Sequence, residues 1–129
     1  MRGSIVGLVW DDEDDPDGNV QHIARHGITP WEVRQALRDA RVFIESDEVD
    51  GPNPVYVAVG PTASGKLLEV WGIHFQSPPM QGFWRTITAV PARSFFREQY
   101  RRAEKKEGDC GGGSDPEDRG ARGGDRPSR

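Results

Sequence analysis

Three basic side chains near the N-terminus have types and spacings that could do proton chemistry. His22 and His26 are four residues apart, so both fall on one face of a helix, with Arg25 beside them. An imidazole can take up or release a proton near neutral pH, whereas a guanidinium stays positively charged. The pattern suits a basic site that moves protons, and it equally suits the polar face of an ordinary helical hairpin.

The same histidines raise the question of a metal site. The pair His22 and His26 has the spacing of zinc ligands, but His74 is the only further histidine in the chain. The single cysteine, Cys110, excludes an internal disulfide and a cysteine-based metal site. The acidic run 11–17 offers oxygen ligands for Ca²⁺ or Mg²⁺ but lacks the ligand spacing of an EF-hand, so it is interpreted as a solvated loop. We expect no metal and no other cofactor.

Two short helices joined by a hinge position these basic residues. Gly27 is the residue type that ends a helix in the left-handed conformation. Thr29 then predicts the cap of a second helix, with Pro30 at its first position and Glu32 completing a capping box. Helical spacing of apolar residues extends this second helix to about Asp39.

The rest of the chain predicts strands followed by a final helix. The strands are expected at residues 4–10, 41–45, 55–59, 66–75 and 83–90, and the final helix at residues 92–106. Alternation along the last strand places Phe83, Arg85, Ile87 and Ala89 on one face and Trp84, Thr86, Thr88 and Val90 on the other.

Short turns between consecutive strands favour antiparallel pairing. The fold class is therefore α+β, with two N-terminal helices and one C-terminal helix packed on one face of a mainly antiparallel sheet of about four to five strands.

Composition limits the size of the folded domain and its location. Of the 129 residues, 34% are hydrophobic and 29% charged, which fits one domain over residues 1–106 followed by a disordered Gly/Arg/Asp-rich tail over 107–129. There is no apolar run that could span a membrane and no secretory leader, so we expect a cytoplasmic protein that does not bind membranes.

The charge is unevenly distributed. Residues 101–129 contain eight of the 17 Lys and Arg and seven of the 21 Asp and Glu, which leaves nine basic and 14 acidic residues in the first hundred. Strong non-specific nucleic-acid binding relies on many contacts between Lys or Arg and phosphate. The excess of acidic residues in the first hundred positions therefore argues against strong non-specific binding of nucleic acid.

An ordered set of motifs resembles the BrnT-type toxins over roughly residues 6–102. The shared features are a Trp-Asp strand end, a helix closing in a basic residue–His–Gly, a strand–turn–strand, and a final strand followed by a basic helix. In this chain they are Val9-Trp10-Asp11, Asn19-x-x-His22-Ile23-x-Arg25-His26-Gly27-Ile28-Thr29, Glu32-Val33, Gly65-Lys66-Leu67-Leu68, Arg85-Thr86-Ile87-Thr88-Ala89, and Arg97, Glu98 and Tyr100.

The resemblance implies a RelE-like fold and a bacterial type II toxin–antitoxin system. Proteins of this kind are endoribonucleases that cut mRNA without a metal and thereby inhibit translation. The implied partners are a DNA-binding antitoxin encoded beside the toxin, RNA that is free or on the ribosome, and further subunits in a dimer or a toxin–antitoxin heterotetramer.

The resemblance also implies roles for individual residues. Basic groups would stabilise the charge on the phosphate while another group moves protons. The implied catalytic residues are Arg85 for the phosphate, His22 as general acid or base, Arg25, and Thr88, which stands where the family has Ser. The implied RNA-binding residues are His26, Lys66, Arg93 and Arg97.

Structural roles remain open for several of these residues. His26 suits the C-terminal end of a helix, where a cation interacts favourably with the helix dipole. His22 could hydrogen-bond a neighbouring loop, and Arg85 either lies at the edge of a buried face or pairs with an acid such as Glu69.

Val90 is the main departure from the family pattern. The family's last strand ends in Ser-Ala-Arg, and in this chain the position of that arginine is Val90. One hypothesis is a divergent ribonuclease in which Arg93 or Arg97 replaces the missing group. The other is a catalytically degenerate member that acts as a protein-interaction module. An arginine beside Val90 would favour the first hypothesis, and an apolar surrounding would favour the second.

Overall fold

A five-stranded mixed sheet organises the chain in the computed structural model, which describes residues 4–111. The elements, in chain order, are β1 (Gly7–Val9), α1 (Asn19–Ala24), α2 (Pro30–Arg38), β2 (Val42–Asp50), β3 (Asn53–Pro61), β4 (Leu67–His74), β5 (Phe83–Pro91) and α3 (Ser94–Gly111). The strand order is β1-β5-β4-β3-β2; β1 runs parallel to β5, and all the other pairs are antiparallel. An α+β fold with a mainly antiparallel sheet is thus confirmed.

Several element boundaries differ from those predicted. The polar segment after residue 45, expected to be a loop, continues β2 to Asp50 and pairs with the start of β3. Helix α3 extends past residue 106 to Gly111, and the remainder of the predicted tail lies outside the described residues. None of the helices in residues 4–111 is long and apolar enough to cross a membrane.

The helices cover both faces of the sheet, so the prediction that they share one face is wrong. Helices α1 and α2 pack with Ala58 of β3 in one cluster of buried residues. Helix α3 packs Phe96 and Tyr100 against Val42 and Val59 on the opposite face. Adjacent residues of a strand point to opposite faces, and residues 55–60 of β3 are all buried. A short continuous apolar run of this kind is typical of a strand covered on both sides.

The predicted hinge between the first two helices is confirmed. Gly27 has φ +76°, and the Thr29 side chain accepts from the Glu32 backbone N–H while the Glu32 side chain accepts from the Thr29 backbone N–H. Helix α1 ends at Ala24, however, so His26 lies beyond the helix instead of closing it.

Helix α2 lies directly on β3 at Gly60. A Cβ atom at this position would be 2.0 Å from the Ala36 carbonyl oxygen, a distance that real Cβ atoms do not reach. Glycine at this position therefore allows the helix to approach the sheet backbone closely.

A β-bulge in β5 changes which side chains share a face. Trp71 of β4 pairs with Thr88, but the next residue, Gly72, pairs with Thr86, so Ile87 is an extra residue in the strand. The predicted alternation along β5 therefore fails beyond Thr86. Past the bulge, Val90 lies opposite Glu69.

Candidate functional site

Asn19, the first residue of α1, holds that helix against the end of the short strand β1. Its side-chain amide is buried and donates to the carbonyl oxygens of Val9 and Thr86, at 3.2 and 3.0 Å. It also exchanges two hydrogen bonds with Asp11, one in each direction and both 2.9 Å long. Asn19 therefore joins β1, β5 and the acidic loop and fixes where α1 meets the sheet.

Arg85 pairs with Asp11. The two terminal nitrogens of the guanidinium donate to the two carboxylate oxygens of Asp11, at 2.8 and 2.7 Å. The hydrogen bond from Arg85, assisted by the backbone N–H of Asn19, lowers the pKa of Asp11 to about 2, so the carboxylate stays charged at neutral pH. Of the two alternatives left open for Arg85, the ion pair is therefore present, although its partner is Asp11 and not Glu69.

The structure brings His22 and Thr88 into direct contact. His22 Nε2 lies 3.1 Å from Thr88 Oγ1, within hydrogen-bond distance, and both residues are half-buried. The ring of His26 is next to that of His22, with 5.5 Å between the ring centroids and an edge-on arrangement. An imidazole and a hydroxyl in contact at a partly exposed position could move a proton to or from a bound group.

Three other predicted site residues make contacts that support the local fold. Arg25 donates to the carbonyl oxygen of Pro16 at 2.8 Å, which ties the end of α1 to the acidic loop. Arg97 donates to the carbonyl oxygen of Ala92 at 3.1 Å, within its own segment. Lys66 Nζ lies 3.3 Å from a carboxylate oxygen of Glu32, the residue that completes the capping box.

Arg93 is paired with a fully buried carboxylate. Its guanidinium donates to both oxygens of Glu69, with a shortest distance of 2.6 Å, and its backbone N–H donates as well. Trp71 Nε1 donates to the same carboxylate at 2.9 Å. Burial by itself would raise the pKa of Glu69, but the hydrogen bonds from Arg93 and Trp71 outweigh it and the pKa is lowered. Glu69 is therefore an anion inside the fold, and Arg93 is its counter-ion.

Val90 lies in a mainly apolar groove of 460 Å³ on the sheet face that also carries Glu69. The charged side chains that line the groove are Glu69 and Arg93, which are bonded to each other. The remaining lining residues are Val55, Trp71, Ile87, Thr88, Val90 and Pro91. The arginine that lines the groove beside Val90 is thus already paired with a carboxylate.

His22 and His26 have the spacing of zinc ligands, but they do not meet a third ligand in the described residues. In the part of the chain that the structure describes, no three His, Cys, Asp or Glu residues come together as metal ligands. His74 is buried in β4, where its Nδ1 contacts Gln76 Nε2 at 2.9 Å. Its Nε2 has no hydrogen-bond partner within residues 4–111.

Sequence reasoning did not assign site roles to Asp11, Asn19 and Glu69. Asp11 and Asn19 did appear in the motifs that resemble the BrnT-type toxins, which was the available signal for them. Asp11 was interpreted as one of six acids in a solvated loop, because composition does not show which acid of a run faces an arginine. Glu69 is named in the sequence analysis only as a possible partner of Arg85, and nothing in the sequence indicates its pairing with Arg93.

Comparison of this chain with models of protein families, with curated proteins and with solved structures finds no match.

Proposed function

We propose that this chain is a BrnT-like protein of a toxin–antitoxin pair that acts by binding its partner protein and has lost efficient RNA cleavage. One observation carries the proposal: the arginines best placed for phosphate chemistry are already bonded to carboxylates of the fold. Arg85 is held by Asp11 and Arg93 by Glu69.

Metal-independent RNA cleavage needs positive charge at the phosphate as negative charge develops in the transition state. An arginine that already shares both of its terminal nitrogens with a carboxylate has little net charge to offer, and a phosphate would have to displace that carboxylate. Losing one such stabilising group typically lowers the rate by about 10²–10³-fold, by analogy with oxyanion-hole donors.

The surroundings of Val90 support the same proposal. Where the BrnT-type toxins have a second arginine, this chain has an apolar groove whose only nearby cation, among the described residues, is Arg93. Displacing Arg93 onto a phosphate would leave the buried carboxylate of Glu69 without its counter-ion, which is energetically costly. The groove therefore favours the protein-binding hypothesis over the ribonuclease hypothesis.

The test is to express the chain in bacteria with and without the product of the adjacent gene. We expect normal growth and intact RNA when the chain is expressed alone, and a stable complex when the two proteins are purified together. An Asp11→Asn variant removes the negative charge that Arg85 pairs with, and it tests for latent RNA cleavage. Growth arrest with RNA fragments from the parent chain alone, abolished in Arg85→Ala, would contradict the proposal.

The contact between His22 and Thr88 favours a second candidate function, slow RNA cleavage at the end of α1. In this alternative His22 acts as general base or acid and Arg85 exchanges Asp11 for the phosphate. Purified chain incubated with RNA, with and without ribosomes, should then yield fragments that disappear in His22→Ala. Gln21→Ala is the control, because Gln21 lies on the same helix and its side chain donates to the carbonyl oxygen of Glu13 at 2.7 Å.

A further inference from the structure

A second, larger groove lies between β1 and α2, and neither Arg85 nor Val90 lines it. Its volume is 880 Å³, and most of the residues that line it are apolar. Segment 4–8 of the chain forms one side and α2 forms the other. The lining residues are Ser4, Ile5, Val6, Gly7, Leu8, Trp10, Pro30, Trp31, Arg34, Leu37, Arg38 and Phe43.

Two large apolar side chains at this groove are unusually exposed. Trp31 on α2 is 62% exposed and Val6 before β1 is 65% exposed. Exposed tryptophans are typical of binding surfaces, because a large rigid ring buries much area for little loss of conformational entropy. An apolar groove bordered by such residues marks a surface that another molecule covers.

The charges at the groove are all of one sign. Arg34 and Arg38 are its only charged lining residues, and no carboxylate lines it among the described residues. The Arg34 guanidinium lies 5.9 Å from the centre of the Trp31 ring and has no ion-pair partner in the described part of the chain. Arg38 pairs with Asp39 at 3.4 Å, but both side chains are more than half exposed, so that pair exchanges readily. The first hundred residues carry an excess of negative charge, but the charged residues of this groove are both positive. The groove is therefore complementary to an acidic ligand.

The neighbouring strand indicates what kind of ligand fits. Strand β1 is at the end of the sheet, and no strand pairs with its outer side within residues 4–111. Five consecutive residues of segment 4–8 line the groove, so the backbone edge borders it as well as the side chains. An open strand edge beside apolar pockets can receive an extended peptide, whose main chain continues the sheet while its side chains enter the pockets.

We propose that this groove binds an extended segment of the partner protein that carries apolar side chains and at least one carboxylate. The apolar side chains of the segment contact the groove lining between Leu8 and Leu37. Its carboxylate forms an ion pair with the guanidinium of Arg34. This inference rests on the proposed function, since it specifies where and by what chemistry the partner is held.

The experiment is calorimetric titration of the full chain with the purified product of the adjacent gene. Trp31→Ala and Arg34→Glu should each weaken the complex at least tenfold, and the affinity of the parent should fall as salt is raised. Phe95→Ala and Arg102→Glu are matched controls. Phe95 is also 62% exposed, and Arg102 is an exposed arginine on α3 that pairs with Glu98. Both controls should bind as the parent does, and urea unfolding checks that every variant is folded.

The outcomes separate the two proposals. If the partner binds the parent and both groove variants equally well, the protein-binding function stands and this docking site is wrong. If the partner does not bind the parent at all, both proposals fall.

Two further measurements test other occupants of the groove. A labelled single-stranded RNA 12-mer that binds the parent but not Trp31→Ala would overturn the peptide assignment, and so would a dimer in light scattering that Trp31→Ala converts to monomer.

Discussion

The arginines on β5 and at the start of α3 differ from those on α2 in what they face. Arg85 and Arg93 meet carboxylates that are parts of the fold, one at the sheet end and one fully buried. Arg34 lies over an aromatic ring, and Arg38 meets a carboxylate that is itself exposed. The same type of side chain is therefore a structural counter-ion in one region and, as we propose, a binding group in the other. The carboxylates that hold Arg85 and Arg93 are 26% and 0% exposed, whereas the one that meets Arg38 is 51% exposed.

The difference follows from the energetics of buried charge. A buried carboxylate without a counter-ion is strongly destabilising, so Glu69 keeps Arg93 in place. An exposed ion pair contributes little, because water and salt screen it. Resemblance alone marked Arg85 and Arg93 as site residues, whereas the groove that we propose as a binding site lies beside α2.

The largest expected effect is on Glu69. Replacing Glu69 with Ala removes the carboxylate that Trp71 and Arg93 bond and leaves a cavity, and we expect a loss of about 2–3 kcal/mol in the free energy of unfolding. Arg34→Ala, the counterpart on α2, should change the same free energy by less than about 0.5 kcal/mol. Urea unfolding measures both. Equal effects of the two substitutions would remove the distinction between the two regions.

A pH-dependent effect is expected at Asp11. Because the pKa of Asp11 is lower in the folded chain than in the unfolded chain, the Asp11–Arg85 pair contributes full stability above about pH 4 and loses it as the pH falls towards about 2. The difference in unfolding free energy between the parent and Asp11→Asn should therefore be largest at neutral pH and shrink in acid. Urea unfolding at several pH values measures it, and a difference that is constant from pH 7 to 3 would show that the pair does not stabilise the fold.

The smallest effect is expected at the surface pair of Arg38 and Asp39. Asp39→Asn should alter the unfolding free energy by less than about 0.5 kcal/mol at low salt, and by less again at high salt, because both side chains are exposed. The same substitution frees Arg38 at the groove, so binding of the adjacent gene's product should strengthen slightly. Weaker binding would indicate that Asp39 itself contacts the partner.

The hinge between α1 and α2 was predictable in detail because its determinants are local. The reciprocal bonds of Thr29 and Glu32 and the left-handed Gly27 depend on residues within one turn of each other. The four strands that follow were predictable for the same reason, since short turns favour pairing between neighbours. The covering of both sheet faces could also have been inferred, from the continuous apolar run of β3.

The site was less predictable because its contacts join distant parts of the chain. The parallel pairing of β1 with β5 brings Asp11 to Arg85, although 74 positions separate them. The bulge at Ile87 reverses the faces of the residues that follow, and Val90 therefore lies opposite Glu69. Neither the pairing nor the bulge has a local signal in the sequence.

By itself, the sequence determined the type and order of most elements, the hinge geometry and the excess of negative charge in the body, because these depend on composition and on neighbours along the chain. Only the tertiary structure decided which carboxylate each arginine meets. That pairing depends on strand order, on sheet register and on one inserted residue. Those same long-range features leave Arg34 without a carboxylate in the described structure, beside the groove that we propose binds an acidic segment.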